Sequence, residues 1–418
     1  MHYIFIYPSS GVLGGIETLL ARMSRWLLYK GNRVTLLVQS PDKWSDILPE
    51  GVHFIPLGDR FKELYYYFHA RRLWNSLGIE DPDVIKSFDL PSSWMACQLA
   101  ALIGGKCKVL TGIYNPLVFK WYYSANSLPR WDDNLLYLHN YLKHIPPSAR
   151  LFCGTDQIEE LAETHQETGV LWPIPIETSQ FEPAVRKPKW GKIVSVGRLS
   201  PMKEYNLYMI DVVKALRDKG HDVTWTVFGT GEYETTMREQ IKKAGLESFI
   251  SMEGTVPYAR FRKVLEDAYV FVGMGTSILE AAMFRVPNVT ANAYDREGLT
   301  CGSVCQYPQG SIGMGLHAVA NLKVADEIER VLCLNPAEYR VEEEQVGLHV
   351  EMHEMEKSMN CFLQLVSEAK PVTSNKFLYL SNYFLWCLRR IMKMVIRPKK
   401  ISHPMTASAA KPAGAWSQ

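Results

Sequence analysis

The chain contains 418 residues, of which 47% are hydrophobic and 22% are charged. This length exceeds one ordinary hydrophobic core and predicts two globular domains with a shorter additional segment. With 46 lysines and arginines against 44 acidic residues, the net charge is only +2. That balance argues against a general polyanion binder, and no nucleic-acid-binding motif is present.

The sequence shows no sign of a secreted, membrane-spanning or zinc-binding protein. It starts almost at once with the strand-like run YIFIYP, which is not a signal peptide, and no apolar run reaches the length of a membrane span. Of the eight cysteines, only Cys301 and Cys305 lie close together, and without a second pair their spacing argues against zinc. We therefore expect reduced thiols and a protein on the cytosolic side.

Short apolar runs alternate with longer helical patterns through the first half of the chain. The strand candidates lie at 3–8, 33–39, 52–58, 83–89, 108–114 and 150–154. They show little polar alternation, as is typical of strands buried on both faces. A helical pattern at 14–31, closed by Gly31, follows the first strand. This alternation predicts an α/β fold with a parallel, doubly wound sheet.

The same pattern restarts after the stretch 183–191, which is rich in proline and lysine. The runs KIVSVG, DVTWTVFG, FISMEG and AYVFVGM then predict a second parallel sheet, and helical patterns at 325–369 are expected to complete its domain. We therefore expect two Rossmann-like domains facing each other across a cleft. The predicted divisions are a domain at 1–182, a linker at 183–191, a domain at 192–370, a tail at 371–400 and a disordered end at 401–418.

Two glycine-rich turns lie where strands open into helices. Gly14 and Gly15 would let backbone N–H groups approach an anion at a helix N-terminus. Gly229 and Gly231 form a similar turn in the second domain. The turn with Gly14 and Gly15 matches neither a dinucleotide nor a P-loop motif, and plain connecting turns remain the alternative for both.

Arg198 and Lys203 follow Gly197 at the end of a predicted strand. The carboxyl edge of a parallel sheet is the usual ligand edge, where arginine can bind two phosphate oxygens and lysine supplies a mobile charge. The pair therefore suits a diphosphate. The alternative is two solvated surface charges.

The stretch 268–291 carries a further set of candidate residues. A buried strand ends at Gly273, and Gly275, Thr276 and Ser277 open a helix whose first turn is expected to contain Glu280. Glycines and hydroxyls at a helix N-terminus suit phosphate, while a carboxylate can accept hydrogen bonds from two vicinal hydroxyls, as on a ribose. A carboxylate that only complements the helix dipole is the alternative for Glu280.

Four stretches in the second half of the chain resemble the donor-binding domain of retaining GT-B glycosyltransferases of family 4. In chain order they are VGRLSPMKEYN, FGTGEYE, MEGTVPYARFRKVLEDAYVFV and ILEAAMFRVPNVTA. The N-terminal GGIETLLARMSRWLLYKGNRVTLLV resembles the opening of the same family. The resemblance covers roughly residues 1–370, is dense at 190–295 and is thin at 60–180. It implies that 1–182 is the acceptor-side domain and that 192–370 binds the nucleotide-sugar donor.

The resemblance also implies roles for individual residues. Arg198 and Lys203 would hold the donor diphosphate and stabilise the leaving group, and Glu280 would hold the donor ribose. The glycines at 14 and 15 would close on the phosphates from the opposite domain. The remaining implied donor contacts are Gly197, Gly229, Gly231, Val256, Gly275, Thr276 and Ser277.

The sequence departs from the family at two positions. The family usually has a glutamate eight residues before the second one, contacting the donor sugar, and this chain has Val272 there. The family often has a histidine after a middle strand of the first domain, where this chain has Tyr114 and Asn115. We expect these two residues on the acceptor side, and backbone N–H groups or hydroxyls of 273–277 to meet the donor.

The resemblance implies a retaining, metal-independent reaction without a cofactor, in which a phosphate oxygen of the leaving group helps to take the acceptor proton. His349 and His353 lie four residues apart around Glu351, a spacing that could bind metal. The segment does not match H-E-x-x-H, and we interpret it as an exposed, charged helix.

The tail contains a basic amphipathic pattern at 376–400. Its apolar face is formed by Phe377, Leu380, Phe384, Leu388, Ile391 and Val395, and its polar face by Asn382, Arg389, Lys393 and Arg397. Such a helix suits the surface of an anionic bilayer, and a helix packed back on the first domain is the alternative.

Together these features predict a peripheral enzyme on the inner face of the cytoplasmic membrane. It would transfer a hexosyl or N-acetylhexosaminyl group from a nucleotide-sugar, with UDP as the expected nucleotide, to a lipid-linked or growing glycan in surface polysaccharide or lipopolysaccharide synthesis. Two alternatives remain: a transferase of the same fold with a soluble acceptor, and a non-catalytic protein that binds nucleotides or sugars.

Overall fold

The structure is a computed structural model of the whole chain. It describes residues 1–8, 14–39, 44, 47–65, 67–104, 106–114, 119, 133–177, 184–314, 321–371, 384 and 388. The contacts divide the chain into two units, Met1–Ser374 and Asn375–Gln418. Both sheets belong to the first unit.

The first sheet has seven strands in the order β3-β2-β1-β4-β5-β6-β7, and all of its pairings are parallel. The chain therefore starts in the middle of the sheet, builds one edge, and then crosses back to build the other. The strands are β1 (His2–Tyr7), β2 (Arg33–Val38), β3 (His53–Pro56), β4 (Val84–Ser87), β5 (Lys108–Gly112), β6 (Arg150–Phe152) and β7 (Val170–Leu171).

The second sheet has five parallel strands in the order β10-β9-β8-β11-β12. A short antiparallel pair, β13 and β14, lies outside it. The strands are β8 (Lys192–Val196), β9 (Thr224–Phe228), β10 (Ile250–Met252), β11 (Val270–Gly273), β12 (Asn288–Thr290), β13 (Leu299–Thr300) and β14 (Leu322–Lys323).

Helices connect the parallel strands, as a doubly wound fold requires. In chain order the α-helices of the described residues are α1 (Gly15–Tyr29), α2 (Tyr67–Leu77), α3 (Leu90–Leu102), α4 (Asp133–His144), α5 (Thr155–His165), α6 (Tyr205–Asp218), α7 (Glu234–Ala244), α8 (Phe261–Val264), α9 (Thr276–Met283), α10 (Val324–Leu332), α11 (Pro336–His349) and α12 (Met355–Glu368).

The predicted α/β fold with two Rossmann-like sheets is confirmed. Each of the six strand candidates in the first half contains a strand, because buried parallel strands produce continuous apolar runs that are easy to recognise. The two-residue strand β7 was not among the predicted strands, because Val170–Leu171 is too short to form such a run. The helical pattern at 14–31 becomes α1, which ends before Gly31 in the left-handed region at φ 76°.

The last helix, α12, packs against the first sheet and does not complete the second domain as the sequence pattern suggested. The Phe362 ring lies 5.3 Å from the Trp172 ring, and the Trp172 indole donates to the carbonyl of Ser358 at 3.1 Å. Lys108 on β5 donates to the carbonyl of Val366 at 2.7 Å. The chain therefore crosses back after α11, and its final helix lies against the first domain.

Of the second unit, the structure describes Phe384 and Leu388 alone. Both are helical, and their side chains are 61% and 55% exposed. Within the described residues, no helix combines the length and the apolar character needed to cross a bilayer. The remaining residues of the predicted membrane-binding tail lie outside the described part of the chain.

Candidate functional site

The N-terminus of α1 lies directly against Arg198 of the other domain. Gly14 is the N-cap of α1 in an extended conformation, and a Cβ added there would lie 2.7 Å from Nη2 of Arg198 and 3.1 Å from Oε2 of Glu17. Any side chain at Gly14 would therefore displace the guanidinium. The predicted glycine turn and the predicted cation are thus brought together across the cleft.

Arg198 and Lys203 lie just beyond the carboxyl end of β8, where the sequence placed them. Arg198 is exposed and Lys203 is partly buried beside Gly197, close enough that a Cβ on Gly197 would collide with its Nζ. Burial lowers the pKa of Lys203 to about 8; the Arg198 charge acts in the same direction, and Glu280 opposes both. Within the described residues, neither cation forms an ion pair.

Gly229 and Gly231 support the backbone of this cationic loop. Gly197 donates to the carbonyl of Phe228 at 2.9 Å, and Leu199 donates to the carbonyl of Thr230 at 3.0 Å. Gly229 has φ 154°, and a Cβ there would collide with the carbonyl of Gly197. The two glycines let the strands approach closely, and direct contact of either glycine with the donor stays a prediction.

The N-terminus of α9 faces that of α1 across the cleft. Gly275, at φ 77°, is its N-cap, and a Cβ on Gly15 would lie 3.8 Å from the Thr276 side chain. The Ser277 hydroxyl donates to the carbonyl of Met274 at 3.1 Å, so its proton is already used locally. Two helix N-termini therefore point their N–H groups at one region beside Arg198.

Glu280 is buried in an ion pair with Arg22, a residue of α1 in the first domain. Arg22 binds Oε1 of Glu280, and the Tyr258 hydroxyl donates to the same oxygen at 2.9 Å. The two charged side chains are 1% and 4% exposed. Burial raises the pKa of the Glu280 carboxyl, while Arg22, Tyr258 and Lys203 act to lower it. The ion pair joins the two domains at the candidate site.

Glu280 lies deeper in its helix than the sequence suggested. Because α9 begins at Thr276, Glu280 is its fifth residue, and the first turn contains no acidic side chain. The expectation that it falls in the first turn is therefore wrong. A carboxylate one turn inside the helix interacts weakly with the N-terminal dipole, which leaves the ion pair as its main electrostatic partner.

Arg22 and Tyr258 were missed by the sequence interpretation. Arg22 lies three residues after Leu19 and four before Trp26, so it falls on the buried stripe of an amphipathic helix. A charged residue on such a stripe indicates a buried partner, and this signal could have identified Arg22. Tyr258 precedes α8 and carries no comparable signal.

The acceptor-side candidates are only partly described. The Tyr114 hydroxyl accepts a hydrogen bond from Nζ of Lys86 at 3.3 Å, and its ring stacks on Phe88. Asn115 lies outside the described residues. Val256 is half-buried in the loop between β10 and α8. Val272 is fully buried inside β11, so this position holds a core side chain where the family usually has a carboxylate.

His349 and His353 do not lie on one exposed helix, so the interpretation of this segment from its sequence is wrong. Helix α11 ends at His349, and Glu351–His353 form a separate 3₁₀ turn. His353 is 1% exposed, and its Nδ1 is 2.9 Å from the carbonyl of Ile174. Burial lowers its pKa to about 4. Among the described residues, no group of three or more His, Cys, Asp or Glu side chains is arranged to hold a metal.

Two family models match the chain, one on each side of the cleft. The model described as Glycosyltransferase Family 4 matches residues 13–168, and the model described as Glycosyl transferases group 1 matches residues 177–299. The first match contains Gly14, Gly15 and Arg22. The second contains Arg198 and Glu280, so the two matches enclose the candidate site.

Two curated relatives share similarity over part of their length. A 2-deoxystreptamine N-acetyl-D-glucosaminyltransferase of Niallia circulans is 29% identical over 106 residues, which are 24% of this chain and 27% of the relative. WcaL of Escherichia coli (strain K12), provisionally named a colanic acid biosynthesis glycosyltransferase, is 27% identical over 126 residues, which are 30% of this chain and 28% of the relative. The chain therefore matches only about a quarter of the length of these relatives.

Several solved structures resemble most of the chain. TarM has a TM-score of 0.63 at 11% identity, covering 88% of this chain and 99% of its own. An S. aureus TarM mutant in complex with Fondaparinux, α-GlcNAc-glycerol and UDP has a TM-score of 0.60 at 11% identity, covering 88% and 100%. WaaG, a glycosyltransferase involved in lipopolysaccharide biosynthesis, has a TM-score of 0.59 at 13% identity, covering 88% and 100%. The two family models show that the chain belongs to the group 1, family 4 glycosyltransferases, and the solved structures show that it has the GT-B fold.

Proposed function

We propose that the protein is a retaining glycosyltransferase that moves a hexosyl or N-acetylhexosaminyl group from a UDP-sugar to a lipid-linked or growing glycan in surface polysaccharide synthesis. One observation carries the proposal. Arg198 and Lys203 lie without ion-pair partners, within the described residues, at a point where the N-termini of α1 and α9 also converge. The two cations and the N–H groups of the two helices outnumber the Glu17 carboxylate in the first turn of α1, so the region suits a diphosphate.

The arrangement supports chemistry on a departing diphosphate. The acceptor hydroxyl attacks the anomeric carbon on the face that the diphosphate leaves, the bond from that carbon to the phosphate oxygen breaks, and the hydroxyl proton passes to a phosphate oxygen. Negative charge grows on the diphosphate during this step. Arg198, Lys203 and the two helix N-termini would stabilise that charge, and Glu280 would accept a hydrogen bond from the ribose.

The proposed nucleotide and pathway draw support from the similar proteins. TarM has been observed with UDP, WaaG acts in lipopolysaccharide biosynthesis and the WcaL name refers to colanic acid. The residues themselves would suit any nucleoside diphosphate. No metal or organic cofactor is part of the proposed reaction, because the two cations and the helix N-termini already supply positive charge to the leaving group.

A panel of UDP-, GDP- and ADP-sugars in a thermal-shift assay would test the proposal. A ligand that binds only the folded protein raises its melting temperature, and a hundredfold excess over Kd stabilises by about 2.7 kcal/mol. We expect one UDP-sugar to raise the melting temperature and the shift to be lost in Arg198→Ala. Lys214→Ala, which removes an exposed lysine paired with Asp218 on α6, is the matched control and should keep the shift.

Assays of hydrolysis and transfer with the same nucleotide-sugars, run beside the thermal-shift panel, separate the alternatives. A protein that binds the donor but neither hydrolyses nor transfers it would be a binding module. Transfer to a soluble sugar with no dependence on membrane lipid would support the soluble-acceptor alternative. No shift with any nucleotide-sugar at millimolar concentration would contradict the proposal.

The pKa of Lys203 predicts how nucleotide binding depends on pH. Burial lowers this pKa to about 8, and only the protonated amine attracts phosphate. UDP affinity should therefore be nearly constant between pH 7 and 7.5 and fall as the pH rises through about 8, by at most tenfold per pH unit. Lys203→Arg keeps its charge at these pH values and should flatten the profile. Calorimetric titration with UDP between pH 7 and 9 measures the affinity of the unaltered protein and of Lys203→Arg. If the affinity of Lys203→Arg falls with pH as steeply as that of the unaltered protein, the pH dependence does not arise from Lys203.

We also propose that residues 376–400 attach the enzyme to the inner face of the cytoplasmic membrane. The contact boundary between Ser374 and Asn375 allows the tail to be removed without cutting into the first unit. Deleting 376–418 should abolish co-sedimentation with vesicles containing 30% phosphatidylglycerol while leaving nucleotide binding unchanged. A full-length variant with Arg389, Arg390 and Lys393 changed to glutamine tests the charge contribution alone. A truncated protein that still sediments with these vesicles would contradict the proposal.

A further inference from the structure

The buried cluster of Arg22, Tyr258 and Glu280 joins the two domains inside the candidate site. Arg22 also donates to the carbonyl of Pro175 at 3.1 Å, and its guanidinium carbon lies 4.7 Å from the centre of the Tyr258 ring. Removing two charged side chains from water is unfavourable unless they are well paired. This cluster is paired through several contacts, which gives the guanidinium a defined position.

The contacts to Glu280 are unequal at its two oxygens. Arg22 and the Tyr258 hydroxyl both bind Oε1, and within the described residues Oε2 accepts no hydrogen bond. A carboxylate has about four acceptor sites on its two oxygens, so a further hydrogen bond can form at Oε2. The carboxylate is 4% exposed and lies within electrostatic range of Lys203, on the side of the proposed diphosphate site.

Several groups determine whether this carboxylate is ionised. Burial favours the neutral acid, whereas the Arg22 charge, the Tyr258 hydrogen bond and the Lys203 charge favour the carboxylate. Behind Arg22 lies Glu177, whose negative charge also stabilises the guanidinium. Without Arg22, the balance moves toward the protonated acid, which is a poorer acceptor for a sugar hydroxyl.

We infer that Arg22 and Tyr258 are positioning residues for the nucleotide: they occupy Oε1 of Glu280, so that Oε2 is presented to the ribose hydroxyls. Because Arg22 belongs to the first domain and Glu280 to the second, the acceptor oxygen is set only while the two domains are in contact. This inference rests on the proposed function. It adds a residue from the acceptor-side domain to the recognition of the nucleotide.

A purely structural role makes a different prediction. If the cluster only tied the domains together, losing it would weaken all nucleotides equally. If Arg22 positions Oε2, losing it would remove the preference for ribose hydroxyls and leave diphosphate binding largely intact. The comparison of UDP with 2′,3′-dideoxy-UDP separates these cases, since the two ligands share the base and the diphosphate.

The test is calorimetric titration of the full chain with both nucleotides at pH 7.5. We expect the unaltered protein to prefer UDP by about 10- to 100-fold, the range for a hydrogen bond to a charged group. Arg22→Gln should reduce this preference to below about threefold while changing dideoxy-UDP affinity by less than threefold. Tyr258→Phe should have a smaller effect, and Arg22→Lys should keep part of the preference. Arg25→Gln removes the ion pair with Glu177 one turn further along α1 and is the matched control.

The possible titration results distinguish the positioning role of Arg22 from the proposed function of the protein. An unchanged preference in Arg22→Gln, or an equal loss for both nucleotides, would overturn the positioning role while leaving the proposed function intact. A protein that binds UDP without preferring it over dideoxy-UDP would overturn the inference and the ribose contact proposed for Glu280, while leaving the proposed diphosphate site and transfer activity intact. Absence of UDP binding would overturn the proposed function and the inference together. If Arg22→Gln fails to fold by circular dichroism, Arg22→Lys and Tyr258→Phe carry the same comparison.

Discussion

Replacing either Arg198 or Lys203 with alanine is expected to reduce sugar transfer by about 100-fold or more while the fold remains intact. Both side chains lie at the end of β8 without an ion-pair partner in the described part of the chain, so neither supports the fold through a buried charge pair. Their proposed role is to stabilise negative charge on the leaving diphosphate, which is greatest in the transition state. The loss should therefore appear in kcat and also in a raised KM for the donor, because both cations also hold the diphosphate before the reaction.

The measurement is the steady-state rate of transfer with the donor identified in the thermal-shift panel. Lys214→Ala and Arg238→Ala remove exposed cations from other helices of the same domain and serve as matched controls. Lys203→Arg should retain more activity than Lys203→Ala because it keeps the charge. A double variant of Arg198 and Lys203 that remains active would remove the main support for the diphosphate site.

Replacing Lys86 with methionine is expected to stabilise the protein by about 2 kcal/mol or more at neutral pH. Lys86 is fully buried in β4, and burial lowers its pKa to about 7. Its Nζ lies 4.6 Å from the Trp172 ring centre and 4.7 Å from that of Phe88, and it donates to Tyr114. Cation–π attraction to the aromatic rings offsets about 2 kcal/mol of the free-energy cost of burying the ammonium charge. Methionine keeps most of the apolar volume and removes the charge.

The sign of the pH dependence follows from the lowered pKa. The unfolded chain keeps this lysine protonated up to about pH 10.5, whereas the folded protein releases the proton near pH 7. Stability contributed by this group therefore rises between pH 7 and 10.5, and the advantage of Lys86→Met should be largest at or below pH 7 and disappear near pH 10. Urea denaturation at pH 6, 8 and 10 measures this difference.

Lys108→Met is the contrasting control for this prediction. Lys108 lies on the neighbouring strand and donates to the carbonyls of Val366 and Ser367 at 2.7 and 3.0 Å. Removing it leaves those acceptors without their partner, so the variant should be less stable. If Lys86→Met is less stable than the unaltered protein at pH 6, the aromatic rings stabilise the ammonium more than burial destabilises it.

Much of the fold and part of the site could be predicted because their signals are local. Buried parallel strands produce apolar runs, so the strands before Gly197 and Gly275 were recognised from sequence. The carboxyl ends of such strands share one edge of a sheet, which brings Arg198, Lys203 and the N-terminus of α9 together without knowledge of any side-chain contact. The helical pattern of α1 likewise predicted that Gly14 opens a helix.

The remainder depends on contacts between residues far apart in the chain. Arg22 and Glu280 are separated by 258 positions, and nothing local to either residue identifies the other. The burial of His353 and the return of α12 to the first sheet also arise from packing between elements whose patterns fit several arrangements. The sequence by itself determined the two sheets, the turns between strand and helix, and the positions of the two cations proposed to bind the diphosphate. The tertiary structure alone decided which domain supplies the partner of Glu280, because burying a charge requires a counter-charge that only the folded chain brings within reach.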